Sequence, residues 1–335
     1  MKIAFVGKGG SGKTTLSSLF ASHLVAAGCP VLAIDADINQ HLATALGATA
    51  AQVAALPTLG AHLPAIKEYL RGSNPRISSA AAMIKTTPPG SGSRLLRLAE
   101  DNPIYRACVR EVGGVRLAVT GPFEDGDLGV ACYHSKVGAV ELMLNHLVDG
   151  HGEYAVVDMT AGADSFASGL FTRFDVTFLV CEPTVRGVAV HRQFVQHARE
   201  YGVRVAAVGN KVCDEADLRF LREELGAQLL TWVGRSDHVR ATERGEVRPV
   251  GALEPANRAA LDTMRGLVDA TGKDWERYQR QAVHFHLRNA VAWGSARAAG
   301  EDLAGQVDPD FVPGEPVAPR SGEPAPSRPD AVPVG

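Results

Sequence analysis

The chain has 335 residues and a mass of 35.4 kDa, which predicts either one large α/β domain with appendages or two domains. Its 45% of hydrophobic and 21% of charged residues are typical of a globular protein and exclude wholesale disorder. The formal net charge of -3 and the 6% of aromatic residues argue against a nucleic-acid coat and against aromatic platforms for single strands.

The cysteines and the apolar runs give further exclusions. The five cysteines are scattered and show no disulfide framework, and no apolar run approaches the roughly 18 residues that a membrane span needs. The apolar run at residues 1–6 is too short for the core of a signal peptide, and it predicts a first buried strand. We therefore expect a cytoplasmic protein.

Short β-branched runs alternate with longer amphipathic stretches, which is typical of a parallel sheet covered by helices. We therefore predict an α/β fold, a mostly parallel, doubly wound sheet with helices on both faces, in a domain of residues 1–272. Ligands of such sheets bind at the carboxyl ends of the strands. The predicted strands are 2–6, 31–35, 116–119, 154–158, 177–181, 203–209 and 229–233, and the predicted helices are 13–27, 137–148, 187–201, 215–225 and 255–271.

The segment between the first predicted strand and helix, residues 7–14, matches the phosphate-binding pattern G-x-x-x-x-G-K-[ST]. Glycines allow the backbone to curl so that successive N–H groups face phosphate oxygens, and the helix N-terminus adds partial positive charge. Lys13 is expected to reach the β- and γ-phosphates, and Thr14 is expected to ligate Mg²⁺. The expected nucleotide-binding residues here are Gly7, Gly9, Gly10, Ser11, Gly12, Lys13, Thr14 and Thr15.

A second lysine, Lys8, follows the first glycine of this loop, and an ordinary P-loop does not need it. Lys8 comes too early in the loop to duplicate Lys13. It either meets the negative charge of another nucleotide across a dimer interface or is simply a solvated lysine.

Three aspartates lie at or just after the carboxyl ends of predicted strands, at the edge of the sheet where the phosphates would bind. Asp35 and Asp37 share one side of an extended chain, so one suits a water-mediated contact to Mg²⁺ and the other the orientation of an attacking water. A pair that only forms a turn is the alternative. Asp158 ends another buried strand and suits an outer-sphere contact to Mg²⁺, and Gly162 suits a loop that registers the γ-phosphate.

Asn210 and Lys211 follow the predicted strand 203–209. An asparagine side chain offers both a donor and an acceptor, which suits the edge of a purine. A GTPase would place an aspartate two positions after the lysine, where this chain has Cys213. The pattern therefore favours adenine over guanine.

Three stretches fall outside the regular alternation. Residues 50–112, approximately, predict an insertion of short helices and loops, and such insertions are often functional or mobile. Residues 273–300 predict an amphipathic helix with basic residues, which packs on the domain or lies on a membrane; we favour packing. Residues 301–335 are rich in proline and predict a disordered tail.

Residues 8–15, Lys-Gly-Gly-Ser-Gly-Lys-Thr-Thr, resemble the deviant Walker A loop of the MinD/ParA/nitrogenase-iron-protein class of P-loop ATPases. The resemblance implies a P-loop NTPase fold, hydrolysis of ATP with Mg²⁺, and a homodimer that forms on ATP binding. It implies that Lys8 contacts the nucleotide of the partner subunit, that Asp37 positions the attacking water and that Asp35 assists at magnesium. The implied catalytic residues are Lys8, Lys13 and Asp37, the implied Mg²⁺ residues are Thr14, Asp35 and Asp158, and Glu182 and Pro183 would form another loop near the nucleotide.

The stretch around Cys132 and His134 resembles the CooC-like group, the nickel-inserting accessory ATPases of carbon monoxide dehydrogenase maturation, which carry a Cys-x-Cys pair in the corresponding place. Two copies of Cys132 and His134 across a dimer would give a Cys₂His₂ set that suits Zn²⁺ and is compatible with Ni²⁺. A buried cysteine beside a surface histidine is the alternative. The resemblance implies a role in nickel insertion or metalloenzyme maturation, with a client metalloenzyme or regulatory protein that the sequence does not name.

Two other functions of this class compete with the CooC-like one. A MinD/ParA-like positioning ATPase would act on a membrane surface or DNA, and the basic residues of 273–297 motivate it. The near-neutral net charge and the lack of a short membrane-targeting helix argue against both partners. A reductase like the nitrogenase iron protein needs cluster ligands from each subunit, and only Cys132 is well placed.

Overall fold

The computed structural model describes residues 1–37, 39–121, 137–160, 166, 169–297 and 302–314. Its strands are β1 (Lys2–Gly7), β2 (Val31–Ala36), β3 (Leu96–Arg97), β4 (Val109–Val112), β5 (Val115–Val119), β6 (Leu147–Val148), β7 (Tyr154–Met159), β8 (Val176–Cys181), β9 (Val205–Val212) and β10 (Leu229–Gly234). Its helices are α1 (Lys13–Ala26), α2 (Leu42–Ala45), α3 (Ala50–Ala54), α4 (Leu63–Arg71), α5 (Pro103–Cys108), α6 (Gly138–Asn145), α7 (Val185–Arg199), α8 (Glu215–Leu225), α9 (Asp237–Glu243), α10 (Pro255–Asp269) and α11 (Trp275–Arg297).

Eight of these strands form one sheet in the order β10-β9-β8-β1-β7-β2-β5-β4. All neighbours pair in parallel except β4 and β5. Every residue of β1, β2, β7 and β8 is buried, as expected for strands covered on both faces. The predicted fold class, a mostly parallel α/β sheet with helices on both faces, is confirmed.

Two hydrophobic cores lie on opposite faces of the sheet. Alternate residues of β1 point to opposite faces, so Phe5 belongs to one core and Val6 to the other. The first core also contains Phe20 from α1 and Phe178 from β8, whose rings lie 5.4–5.9 Å from each other and from the ring of Phe5. The second core contains Phe194 from α7 and residues of α6 and α8. This packing fixes α1, and with it the end of the phosphate-binding loop, against the centre of the sheet.

The predicted insertion at about 50–112 ends in a strand that the sequence analysis missed. Strand β4 pairs antiparallel with β5 and forms one edge of the sheet. Gly113 and Gly114 form the two-residue turn between them, with φ of 56° and 80°. Two successive positive φ values match the twist of a tight hairpin. The Gly-Gly pair was therefore a sequence signal for a β-hairpin that was not interpreted as one.

Two predicted boundaries were wrong for the same reason, namely strand pairing. The predicted helix 137–148 ends at Asn145 in the structure, because β6 pairs with β3 in a separate two-stranded sheet. The predicted strand 203–209 starts two residues later and continues to Val212, where it still pairs with Gly234 of β10. Asn210 and Lys211 therefore lie within β9 and not in a loop after it.

The C-terminal region packs on the insertion. Helix α11 is amphipathic, and its residues Tyr278, Ala282 and Phe285 are buried. Disorder had been expected from residue 301, but for residues 302–314 this is wrong. Gln306 Nε2 donates to the carbonyl oxygen of Ala82 over 2.9 Å, and Asp308 accepts from the backbone N–H of Ser91 over 2.8 Å. These hydrogen bonds hold a segment that has few apolar residues to bury against the rest of the protein. The rest of the predicted tail lies outside the described residues.

Candidate functional site

The loop after β1 curls tightly before α1 begins at Lys13. Gly10 and Gly12 have left-handed backbone angles, with φ of 81° and 92°, a conformation that costs other L-residues about 1–2 kcal/mol. A Cβ atom on Gly7 would lie only 2.6 Å from the carbonyl oxygen of Val180. The curled backbone therefore requires glycine at positions 10 and 12, and the close approach of Val180 requires it at position 7.

Lys13 and Thr14 open α1 beside the carboxyl end of β7. The Lys13 residue is only 7% exposed despite its charge. The hydroxyl of Thr14 donates a hydrogen bond of 2.6 Å to Oδ2 of Asp158. The structure thus brings together two of the three residues that were expected to hold Mg²⁺.

Asp35, the third expected Mg²⁺ residue, lies on the strand next to Asp158. The two aspartates are register partners in the pairing of β2 with β7. Burial raises the pKa of Asp158 to about 8, and the nearby carboxylate of Asp35 adds to the increase. Burial also raises the pKa of Asp35 to about 7, although the backbone N–H of Leu42 opposes this increase. Two buried carboxylates in such proximity favour a cation beside them.

Two buried polar atoms next to this pair have no hydrogen-bond partner among the described residues. They are Oγ of Ser11, a residue that is fully buried, and Oδ1 of Asp158. Buried polar groups are nearly always hydrogen-bonded in folded proteins. A hydroxyl suits a phosphate oxygen, and a carboxylate oxygen suits a Mg²⁺ ion or its water ligand. The residues present therefore fit a phosphate group with Mg²⁺.

Asp35 also holds the loop between β2 and α2, a role that the sequence analysis missed. Its Oδ1 accepts the backbone N–H of Asp37 over 3.1 Å, and its Oδ2 accepts that of Leu42 over 2.9 Å. Asp37 is partly exposed and accepts hydrogen bonds from Asn39, from the backbone N–H over 3.0 Å and from Nδ2 over 2.9 Å. The Mg²⁺ role of Asp35 and the water-positioning role of Asp37 stay predictions.

Lys8 is partly exposed, and its Nζ makes no hydrogen bond or ion pair within the described part of the chain. Its carbonyl oxygen accepts the backbone N–H of Ser11 over 3.1 Å, which closes the turn of the loop. Thr15 is likewise partly exposed. The expected contact between Lys8 and a nucleotide of a second subunit stays a prediction.

Strand β9 brings Asn210 and Lys211 to the phosphate-binding loop. Nδ2 of Asn210 donates to the carbonyl oxygen of Ser11 over 2.7 Å. Nζ of Lys211 donates to the carbonyl oxygen of Gly10 over 2.6 Å and forms an ion pair of 2.7 Å with Glu182. Their contacts with the loop backbone were not predicted, because nothing in the local sequence indicates which strand lies within reach of that loop.

A second loop at the same edge, after β10, is held by residues of α10 and of the turn before it. Glu254 accepts the backbone N–H of Asp237 over 2.9 Å, and Asn257 accepts that of Gly234 over 2.9 Å. Burial alone would raise the pKa of Glu254, but hydrogen bonds from Ser236 and Asn257 lower it to about 2. The sequence did not indicate this role for Glu254 and Asn257, because about 20 residues separate them from the loop that they hold.

The candidate transition-metal residues Cys132 and His134 lie outside the described residues, as does Gly162. Within the residues that the structure describes, no group of three or more His, Cys, Asp or Glu side chains is arranged to hold a metal ion. Cys29, Cys108, Cys181 and Cys213 are free thiols. The expected Ni²⁺ or Zn²⁺ site stays a prediction.

Comparison with known families and proteins agrees with this geometry. Residues 3–248 match the model of the CobQ/CobB/MinD/ParA nucleotide binding domain. The chain is 29% identical over 222 residues to the carbon monoxide dehydrogenase accessory protein CooC of Rhodospirillum rubrum, covering 66% of this chain and 78% of that protein. It is 28% identical over 248 residues to an uncharacterized ATP-binding protein of Methanocaldococcus jannaschii, covering 72% of this chain and 88% of that protein.

Solved structures of low sequence identity share the fold. A chain of the MinC:MinD cell division protein complex of Aquifex aeolicus superposes with a TM-score of 0.53 at 20% identity, covering 82% of this chain and 97% of that one. The septum site-determining protein MinD of Pyrococcus horikoshii, complexed with Mg-ADP, superposes with a TM-score of 0.52 at 16% identity, covering 80% of this chain and 96% of that one.

A helix with the length and hydropathy to cross a membrane is not found among the described residues.

Proposed function

Because this chain belongs to the CobQ/CobB/MinD/ParA nucleotide-binding domain family, we propose that it binds ATP with Mg²⁺ and hydrolyses ATP to ADP and phosphate. The observation that carries the proposal is the start of α1, where the buried Lys13 lies next to the Thr14–Asp158 hydrogen bond. The partnerless hydroxyl of Ser11 supports it, because a phosphate oxygen would complete its hydrogen bonding.

Each described residue of the site has a task in this proposal. The amides of the curled loop and the N-terminus of α1 bind the phosphates, and Lys13 neutralises charge on the β- and γ-phosphates. Thr14 and Asp158 would hold Mg²⁺, which supplies charge neutralisation on the β- and γ-phosphate oxygens when bound. Asp37 orients the attacking water from the loop that Asp35 holds in place.

The test of this proposal is phosphate release by the parent protein and by Lys13→Ala. We expect the parent to release phosphate only with both ATP and Mg²⁺. Lys13→Ala should be slower by at least about 100-fold, because removing a group that stabilises the charge of the transition state typically lowers the rate by that factor. Lys67→Ala, on helix α4, is the matched control and should keep the parent rate. A Lys13→Ala protein that hydrolyses ATP at the parent rate would contradict the proposal.

We further propose that ATP binding closes a homodimer. The support is Lys8, a partly exposed cation on the phosphate-binding loop with no partner among the described residues. A positive charge at this place lowers its free energy by facing the phosphates of a second nucleotide. Hydrolysis removes charge from that nucleotide and would allow the dimer to reopen.

As the specific role we propose that of a CooC-like accessory ATPase in nickel insertion or metalloenzyme maturation, serving a client metalloenzyme. The similarity to CooC supports this role, together with the Cys-x-His pair of Cys132 and His134. Equilibrium dialysis with Ni²⁺ and Zn²⁺, with and without ATP, tests it. We expect Cys132→Ala to lose ATP-dependent metal binding, while the control Cys213→Ala keeps it. If Cys132→Ala binds as much metal as the parent, the metal role is wrong.

The alternative, a positioning ATPase that acts on a membrane surface or DNA, was motivated by basic residues near α11. Two of these cations are engaged within the fold. Lys273 forms ion pairs of 2.7 Å with Asp149 and Asp175, and Arg277 donates to the carbonyl oxygen of Gly202 over 3.0 Å. We therefore keep the metal-related role as the proposal; ATP-dependent co-sedimentation with liposomes or DNA would reverse this choice.

A further inference from the structure

Asn39 donates two hydrogen bonds to the side chain of Asp37. Its backbone N–H donates to Oδ1 of Asp37 over 3.0 Å, and its Nδ2 donates to the same oxygen over 2.9 Å. Oδ2 of Asp37 accepts no hydrogen bond from the described part of the chain. The two oxygens of this carboxylate therefore differ: one is occupied by two donors, and the other has its acceptor capacity free.

The backbone of Asp37 is held as well. Its N–H donates to Oδ1 of Asp35 over 3.1 Å, and its carbonyl oxygen accepts the N–H of Gln40 over 3.2 Å. Gln40 has a φ of 49°, in the left-handed region that residues with a side chain rarely adopt and that the surrounding structure must maintain. With its backbone fixed, Asp37 keeps only the rotations of its side chain, and Asn39 restricts these.

The carboxylate of Asp37 lies near the proposed Mg²⁺ residues. Burial is the main cause of the raised pKa of Asp158, and the negative charge of Asp37 adds to it. A carboxylate orients a water molecule by accepting one of its O–H groups at about 2.6–3.2 Å. A carboxylate that rotates freely presents either oxygen in many directions. One that is held at Oδ1 presents only Oδ2, in a restricted direction, and this is what orienting a water requires.

We propose that Asn39 is a positioning residue for ATP hydrolysis: it holds Oδ1 of Asp37, so that Oδ2 is left to orient the attacking water. Asn39 acts through Asp37 and needs no contact of its own with the nucleotide. This inference rests on the proposed function, in which Asp37 orients that water, and it adds a residue to which the sequence analysis gave no role. The competing interpretation is a turn residue with no part in the reaction, since asparagine is common in turns.

Steady-state ATP hydrolysis, with kcat and KM measured separately, tests the inference. We expect Asn39→Ala to lower kcat by about tenfold or more, because a reacting group that is no longer held in place loses much of the benefit of orientation. KM and the affinity for a non-hydrolysable ATP analogue should stay those of the parent, since the Asn39 side chain donates only to Asp37. Asn289→Ala, which removes a partly exposed amide from α11, is the matched control and should keep both constants.

A second variant, Asn39→Asp, separates positioning from turn formation. Aspartate has nearly the same shape and also favours turns, but its ionised side chain has no N–H donor and repels the carboxylate of Asp37. We expect Asn39→Asp to lower kcat at least as much as Asn39→Ala, whereas a mere turn position would tolerate aspartate. In an Asp37→Ala background, Asn39→Ala should cause no further loss, because its effect passes through Asp37. Asn39 is exposed, so we expect its variants to fold like the parent.

The outcomes separate this inference from the proposed function. If Asp37→Ala abolishes hydrolysis while Asn39→Ala or Asn39→Asp keeps the kcat of the parent, the inference alone is overturned. A higher kcat in Asn39→Ala overturns it as well, because Asn39 would then withhold Asp37 from the water. A parent that does not hydrolyse ATP overturns the proposed function and, with it, this inference.

Discussion

The hydroxyl of Thr14 lies 2.6 Å from a carboxylate oxygen of Asp158, a residue 144 positions later in the chain. This hydrogen bond joins the first turn of α1 to the end of β7. A hydrogen bond to a carboxylate is roughly twice as strong as one between neutral groups. It therefore preorganises two of the proposed Mg²⁺ residues, and it makes Thr14 the most direct place to test the site.

Replacing Thr14 by Val removes the hydroxyl while keeping the shape of the side chain. We expect Thr14→Val to weaken Mg²⁺-dependent ATP binding by about tenfold or more. Loss of a side chain that supports a metal site typically lowers metal affinity by at least that factor. Thr14→Ser retains the hydroxyl and serves as the control, which should bind like the parent. Calorimetric titration of ATP over a series of Mg²⁺ concentrations is the measurement. A Val variant with the Mg²⁺ dependence of the parent would remove Thr14 from the site.

Replacing Lys8 should separate nucleotide binding from dimerisation. Lys8→Ala loses the cation that faces the second subunit in our proposal but keeps Lys13, so we expect it to bind a non-hydrolysable ATP analogue and stay monomeric. Light scattering with the analogue and Mg²⁺ should show a dimer for the parent and for the control Lys67→Ala. If Lys8→Ala dimerises at the same protein concentration as the parent, this lysine plays no part in the interface.

A buried ion cluster should make Asp149 a large contributor to the free energy of unfolding. Its carboxylate lies 2.7 Å from Nζ of Lys2 and of Lys273, and Lys2 is fully buried. Burial alone would raise the pKa of Asp149, but these two charges outweigh it and hold the pKa well below its usual range. Asp149→Asn leaves the buried ammonium group of Lys2 without its carboxylate, while Lys273 keeps its ion pair with Asp175. We therefore expect a loss of about 3–5 kcal/mol in urea unfolding.

The matched control for Asp149 is Asp101→Asn, which removes an exposed ion pair with Arg106. Exposed pairs contribute about 0–1 kcal/mol, so this variant should unfold close to the parent midpoint. Equal losses in the two variants would mean that the buried cluster contributes no more than a surface pair.

The pH dependence of stability should reveal the buried His146. Burial lowers its pKa to about 4 from an ordinary value of 6.5, although its hydrogen bond to the carbonyl of Leu142 opposes the decrease. Between these two pH values the unfolded chain binds the proton more readily than the folded one. The contribution of a neutral His146 is therefore complete above pH 6.5 and is lost as the pH falls toward 4, by about 2 kcal/mol at pH 5.

Urea unfolding of the parent and of His146→Gln at pH 7 and pH 5 measures this effect. Gln keeps a donor for Leu142 but does not titrate, so the stability difference between the two pH values should be about 2 kcal/mol smaller in the variant. Identical pH profiles would show that His146 titrates alike in the folded and unfolded chains.

The C-terminal segment should stabilise the insertion through Asp308. Its carboxylate accepts the backbone N–H of Ser91, and the residue is buried. We expect Asp308→Ala to lower the free energy of unfolding by about 1–3 kcal/mol and to speed proteolysis between residues 72 and 93, because a partly buried hydrogen bond to a carboxylate is lost. Asp310, which is exposed, gives the control variant Asp310→Ala. Equal stability and cleavage in the two variants would contradict the contact.

The sequence by itself determined the features that depend on neighbours along the chain. The glycines at positions 10 and 12, followed by Lys13 and Thr14, predicted the curled loop and the start of α1, and the structure shows both. The alternation of apolar runs with amphipathic stretches predicted the α/β class, because β-strands buried on both faces and amphipathic helices have different periodicities. The doubled glycine at 113 and 114 was also a local signal, and only its interpretation was missed.

Only the tertiary structure decided which of these elements meet. The contact of Asn210 with Ser11 joins residues 199 positions apart, and that of Gln306 with Ala82 joins residues 224 positions apart. Such contacts depend on the order of strands in the sheet and on where the C-terminal segment docks. The free energy that selects this order is spread over the packing of both cores, so no short pattern in the sequence encodes it.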